Sequence, residues 1–362
     1  MKLTIPTKSL LTALTSLKSV AKPATTHPIL SNIRLTATTD SVELMGMDLE
    51  KQLAIKLDCK VSEPGSTTIN CTRLHALLST RREQECSIAT DEKHVSTVKC
   101  GQSVTKMPGL SPDEWPPMIE TKDGIEITLD AKTFSDALTK SLVFASLDKS
   151  RMILNSVFLV SRRGNLNIQA TDGRRMVIFD TTTTLDSKES YIIPRESVPT
   201  IAAMCVAGNV TLTLSEGSLT ASTGEQSLST KLIEGSMGDF EKHFQKKEER
   251  TGKVIANREE LLSEIDSAGT QVSELSKSIS FECDGKSITV SARSKDEGSI
   301  TNRMECKSGS SAIKFGVSPS YFRDALKTIE SEDVELEIKS DVDPIVIADG
   351  AVTMCVMPMR VA

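Results

Sequence analysis

Six times along this chain a strand-like run closes on Ile, Leu or Val and gives way within a few residues to an amphipathic helical pattern: at Ile5, Ile69, Leu129, Ile193, Val254 and Val317. The steps alternate near ~64 and ~61 residues, so Ile5, Leu129 and Val254 stand about 124 residues apart, as do Ile69, Ile193 and Val317. The chain therefore reads as three copies of one domain, each a doubled unit. Identical units placed side by side generate arcs, rings or arrays, so geometry itself becomes the function. The Pro-rich stretch SPDEWPPMIE (111–120) and the solvated, charged stretch EKHFQKKEERTGK (241–253) mark the joints, which predicts domains at 1–121, 122–248 and 249–362. Units of about 120 residues are long enough to bury a core of their own.

Each half-repeat reads as strand, helix, then two or three strands. MKLTI predicts a strand, and Thr7 is a candidate cap for a helix whose Leu10, Leu11, Leu14 and Leu17 follow helical spacing. The alternating runs NIRLTAT and VELMGMD follow, with a turn at Thr39-Asp40 between them. The second half repeats the order with TTIN, the helix TRLHALLST, CSIAT, a turn at Asp91-Glu92 and HVSTVKC. Further helices are expected near 133–138, Val198 to Ala207, Glu259 to Ala268 and Tyr321 to Ile329. The class is α+β, with one β-rich sheet and two helices on one face expected per repeat. If two chains close a ring, twelve helices of about 10 Å diameter line a circle about 38 Å across, leaving a bore of about 28 Å that admits a nucleic-acid duplex.

Composition removes several other classes. The eight cysteines never form a C-x-x-C pair and read as small buried hydrophobes, while the four histidines stand far apart with no ligand spacing, so neither a metal site nor a cofactor is expected. No apolar run reaches the ~18 residues that span a bilayer, and MKLTIPTKSL has no secretion-signal core, so a cytoplasmic protein without membrane partners is expected. A net charge of −6 argues against a coat of nucleic-acid-binding charge, and 3% aromatic residues argue against gripping single strands by stacking.

Seven stretches in order carry a family likeness: HPILSNIRL with GMDLE (46–50), LNSVFLV (154–160), ATDGRRM (170–176), IIPRESV (192–198), KLIEGSMGDF (231–240) and the C-terminal VMPMRVA. On these the chain resembles, over essentially its whole length, the beta subunit of bacterial DNA polymerase III, a sliding clamp. The resemblance implies three clamp domains, each a doubled β-α-β-β-β unit, in a head-to-tail homodimeric ring with helices inside and sheets outside. It implies no catalysis. Such a clamp encircles double-stranded DNA, tethers DNA polymerase, is opened by a clamp loader, and accepts other clamp-motif peptides in one hydrophobic cleft.

By the same resemblance the cleft comprises Leu154, Thr171, Gly173, Arg174, Arg175, Met176, Phe240, Pro344, Val356, Met357, Pro358, Met359 and Arg360. Thioethers at Met176, Met357 and Met359 suit a surface that accepts several partners, although a Met-rich last strand is also what a plain core contains. Departures from the family pattern are Met237-Gly238 where Phe-Pro is usual before Asp239-Phe240, Arg174 where His is common, and Ala24 where Arg is common. They fit a divergent, phage-type member. Lys22, Arg73, Lys140, Lys149, Arg151 and Arg195 are the basic residues expected to face DNA, with Lys8, Lys18, Arg81, Arg82, Arg323 and Lys327 also on or beside helices. The helix NREELLSEID is acidic, so DNA contact is expected on the first two domains. At the dimer interface, Lys99, Lys106 and Met107 are expected to meet Ile265, Asp296 and Glu297; charged edge strands that prevent pairing have the same composition. Two alternatives stand beside this reading: a clamp-fold scaffold without a replicative role, and a metal-dependent hydrolase built on Asp48, Asp172 and Asp349, which lack a second carboxylate or His at ligand spacing.

Overall fold

A computed structural model describes residues 1–22, 26–238, 249–250, 252–272, 278–294 and 298–360, and their side chains except at 294, 311 and 312. Among them are six α-helices: α1 (Thr7–Leu17), α2 (Cys71–Ser79), α3 (Ala131–Phe144), α4 (Val198–Met204), α5 (Arg258–Gly269) and α6 (Pro319–Thr328). Each follows a strand, and the six apolar residues that mark the repeat are all buried. Leu10, Leu14 and Leu17 form the inward stripe of α1, as their spacing predicts. Local caps set several helix starts: the side chains of Asn70, Asp130 and Asn257 accept from the backbone N–H of Arg73, Thr133 and Glu260. Thr7 differs from its expected capping role, being the first helical residue behind Pro6.

The helix starts also correct the phase of the repeat. Ile5 and Leu129 stand two residues before a helix, whereas the residue two before α5 is Ala256. Val254 is instead the counterpart of Leu3 and Ile127, because strands repeat every two residues and either inward position satisfies the pattern.

The chain forms two compact units, Met1–Ser135 with Glu196–Ile233, and Asp136–Arg195 with Glu234–Ala362. In the first, a five-stranded sheet runs Lys60–Glu63, Lys2–Pro6, Glu85–Thr90, Val95–Cys100, Ser103–Pro108. Its eight-stranded sheet runs Ile125–Asp130, Asn209–Leu214, Ser218–Thr223, Gln226–Lys231, Lys51–Asp58, Ser41–Met47, Asn32–Ala37, Gly65–Asn70. In the second unit, a nine-stranded sheet runs Ser190–Pro194, Ser156–Arg162, Asn165–Thr171, Arg175–Thr184, Val352–Val356, Ile345–Asp349, Asp333–Ile338, Gly252–Asn257, Ser308–Gly309. Its four-stranded sheet runs Gly298–Glu305, Ser287–Ser294, Ile279–Asp284, Ser311–Val317. Under the latter, Phe281 and Phe315 stack at 4.6 Å with Phe322 edge-on to both, worth about 1 kcal/mol per pair beyond burial.

One sheet per repeat was the expectation, and the structure has two. The strand leading into each helix pairs with the opposite half of its repeat: Lys2–Pro6 with Glu85–Thr90, and Gly65–Asn70 with Asn32–Ala37. The halves therefore interlock, and each presents its last strand at an edge. Four of those edges are fused across repeats, as two junctions in the same register. Leu53 stands opposite Leu228 in the first junction, and Val177 opposite Met354 in the second.

Candidate functional site

The second junction builds a cleft of about 110 Å³ lined by Thr171, Gly173, Arg174, Arg175, Met176, Cys355 and Met357. Its rim is a turn organised by Asp172, whose Oδ1 accepts from the N–H of Arg174 at 2.8 Å and of Arg175 at 3.1 Å. The Thr171 hydroxyl donates to Arg175 O at 2.7 Å and accepts from Gly173 N at 3.0 Å. Gly173 adopts φ +88°, and a Cβ there would lie 3.1 Å from Arg151 Nη2 and 3.9 Å from Leu154 Cδ1. A glycine both permits the turn and leaves Arg151 and Leu154 against the rim. On the other side Met357 N donates to Arg174 O at 2.8 Å. The floor is apolar: Met176, Ile178, Val346 and Cys355 are buried together with Met237 packed on them. Burial pushes the Cys355 thiol up to about 12, so it stays a neutral part of that floor.

Arg175 holds the cleft wall. Its Nε donates to Asp172 at 3.0 Å, one Nη to Asp324 at 2.5 Å and the other to Val143 O at 2.7 Å, while the guanidinium lies 4.5 Å from the Tyr321 ring centroid and 5.3 Å from that of Phe144. Rim, α6 and the last turn of α3 are thereby fixed to one rigid fork.

The structure thus brings together Leu154, Thr171, Gly173, Arg174, Arg175, Met176 and Met357. Pro344 and Val356 are buried, Val356 wholly so and opposite both Arg175 and Ile345, which makes it support and not lining. Beyond Pro358 the backbone runs beside the four-stranded sheet: Met359 N donates to Gly316 O at 2.8 Å in an isolated bridge, and Arg360 O accepts from the Ser278 hydroxyl. Phe240 lies outside the described residues. Cys355 was missed as a lining residue; its strand register opposite Met176 is the signal that reveals it.

Among the residues expected to face DNA, Lys22, Arg73 and Lys149 are exposed. Lys140 pairs with Glu330 at 2.6 Å. Arg195 is diverted: its Nη1 donates to Leu142 O at 2.7 Å and Ala145 O at 3.1 Å, capping the C-terminal end of α3, where a cation opposes the helix dipole. Burial, with Arg175 nearby, lowers its pKa. Arg151 likewise turns to Asp172 O at 3.1 Å. Of the expected interface residues, Lys99 and Lys106 are exposed and Met107 is buried, while Asp296 and Glu297 lie outside the described residues. Ile265 is wholly buried in α5 and offers no surface to a second chain.

The carboxylates of the hydrolase alternative are committed to turns. Asp48 accepts from Glu50 N and Lys51 N, and Asp349 from Glu330 N and Ser331 N, as Asp172 does from its own loop. Among the described residues no three His, Cys, Asp or Glu are grouped to hold a metal ion, and no helix is long and apolar enough to cross a membrane.

Three family models match in order: the N-terminal domain of the DNA polymerase III beta subunit over residues 1–120, its central domain over 128–239 and its C-terminal domain over 247–360. A beta sliding clamp of Chlamydia muridarum is 26% identical over 99% of both chains, and one of Pseudomonas putida 22% identical over 99% of this chain and all of its own. The same fold recurs in the DNA polymerase III beta subunit of Pseudomonas aeruginosa, with TM-score 0.94 at 22% identity, and in the DNA polymerase sliding clamp of Bacillus subtilis, with TM-score 0.93 at 19% identity, each covering both chains in full. With all three domain models matched in sequence order, the chain belongs to the DNA polymerase III beta-subunit family, the bacterial-type beta sliding clamps.

Proposed function

We propose that this protein is a DNA polymerase processivity factor: a homodimeric ring of three domains per chain, at 1–121, 122–248 and 249–362, that encircles duplex DNA. It carries out no chemistry itself. It acts in the cytoplasm, is opened by a clamp loader, and tethers polymerase and other partners by peptides seated in the Thr171–Met176 and Met357 cleft.

The observation that carries the ring is a register. Leu228 is reached across its sheet from Ile127 through Leu212 and Ala221, and Met354 from Val254 through Leu336 and Ile347. The same path from Leu3 through Ile88 and Val98 ends on Thr105, in the outer strand Ser103–Pro108. On the facing side, Ile55 and Phe179 lie opposite Gln226 and Val352, and their counterpart in the outer strand Gly298–Glu305 is Asn302, reached from Phe315 through Phe281 and Val290. A third junction built like the first two therefore sets Ser103 of one protomer opposite Asn302 of its partner, and Thr105 opposite Ile300. The joined sheet would have nine strands, matching its neighbours of eight and nine. Closed pairing also removes the two open edges, a liability in any sheet protein.

Retention tests the function. Protein loaded on nicked circular DNA should survive salt that abolishes binding to short linear duplex, because escape requires opening a protein interface and phosphate contacts are screened. Linearising the circle should then release it. Equal release from both forms would overturn the clamp reading.

A further inference from the structure

Two pairs of cysteines bring thiol against thiol. Cys86 hydrogen-bonds Cys100 on the neighbouring strand, and both are 1% exposed. Cys283, 3% exposed at the end of the Ile279–Asp284 strand, meets Cys306, which follows Gly298–Glu305 and is only half-buried. Gly309 makes the room: a Cβ there would stand 2.7 Å from Cys283 Sγ and 3.2 Å from Cys306 Sγ. Both sulfurs therefore converge on one point that has no side chain.

We propose that Cys283 and Cys306 form a reversible dithiol–disulfide site, with Cys306 the entry thiol and Cys283 the resolving one. The oxidant is a low-molecular-weight disulfide. The Cys306 thiolate attacks one of its sulfurs, forming a mixed disulfide and expelling one thiolate; the Cys283 thiolate then attacks Cys306 Sγ and expels the second. Two protein thiols become one disulfide, the small disulfide becomes two thiols, and the two protons lost by the protein are taken up by them. Burial, then Cys283 and Asp284 beside it, raise the Cys306 pKa, so the reaction quickens as pH rises. The new bond would staple the end of the outer strand Gly298–Glu305 to Ile279–Asp284 and hold that edge against fraying. Cys86 and Cys100, hydrogen-bonded to each other but sealed from solvent, serve as the internal control.

The test treats the full-length protein with glutathione disulfide at about pH 8, blocks remaining thiols and maps the peptides by mass. The expected result is a Cys283–Cys306 linkage two hydrogens lighter, with Cys86 and Cys100 alkylated only after denaturation. Cys283→Ser should stop at a glutathione adduct on Cys306, and Cys306→Ser should leave Cys283 unmodified. A trivalent arsenical, which requires two thiols, should protect both residues from alkylation in the wild type and neither in the single variants. An adduct on Cys306 that never resolves in the wild type, or Cys306 staying unreacted in both wild type and Cys283→Ser, would overturn the proposal.

Discussion

The two fused junctions are one scaffold finished in two ways. At the second, Met357 N donates to Arg174 O at 2.8 Å; at the first, Lys231 N donates to Glu50 O at 2.9 Å, at the corresponding position of the shared register. Arg175 and Met176 of the second junction correspond to Lys51 and Gln52 of the first. Met176 is part of an apolar floor, whereas Gln52 makes two 2.9 Å hydrogen bonds to the N–H and carbonyl of Ile119, so the segment after Trp115 is laid over that junction. Arg175 ties a rim and two helices together, whereas the buried Lys51 ammonium makes a 2.6 Å bond to Glu196 O. The same backbone pairing is thus finished with a hydrogen-bonded Gln52 at one joint and with apolar side chains at the other. The second joint adds an apolar floor and a rigid rim to that pairing, the setting in which a partner peptide is proposed to sit.

The largest contrast should come from removing the two cations. Arg175→Ala takes the guanidinium away from Asp172 Oδ2, Asp324 and Val143 O in a nearly buried setting and should cost about 3 kcal/mol of stability by urea unfolding, whereas Lys51→Met should come close to neutral, since the bond lost to Glu196 O is offset by removing a buried ammonium. Equal losses would mean that the fork is not what holds the second junction. Binding should divide the junctions next. Met357→Ala should weaken a partner peptide by about 1–3 kcal/mol in a calorimetric titration, while Lys231→Ala, its counterpart, should leave that affinity unchanged; matched losses would place the peptide elsewhere.

Gln52→Ala should cost about 1–2 kcal/mol by leaving Ile119 without either bond, with increased hydrogen exchange confined to residues near 119. No change there would show that the segment is held by other contacts. The smallest effect is in pH. Burial is the main cause that lowers the Lys51 pKa below 10.5, so between the folded and unfolded values the unfolded chain binds the extra proton. Stability from this group is therefore penalised at neutral pH and recovers as pH rises toward 10.5, and Lys51→Met should remove that alkaline rise in a comparison of urea midpoints. A rise of the same size in the variant would assign it to another group.

Much of this was legible in advance because it is local. Helices announce themselves by spacing, as in Leu10, Leu14 and Leu17, and rims by short loops such as Thr171 to Arg175, whose bonds join neighbours in sequence. What escaped the sequence depended on partners far along the chain. Arg195 looks like any surface cation until the α3 carbonyls, some 50 residues earlier, turn out to need it. Ile265 was equally suited to an interface or a core, and only the packed sheet beneath α5 decided for the core. Cys283 and Cys306 gave no spacing signal, because a side-chain-free Gly309 is what brings them together.

The sequence by itself determined the repeat, the six helices and the family likeness, since each rests on periodicity or on runs of neighbouring residues. Tertiary structure decided how the strands were shared: two sheets per repeat instead of one, fused across junctions, with Ala256 and not Val254 in phase with Ile5. The physical reason is that a strand presents the same alternating face at every second residue, so its partner and register carry no local mark. They are fixed only where a helix start, a cap or a fused edge anchors one strand against another.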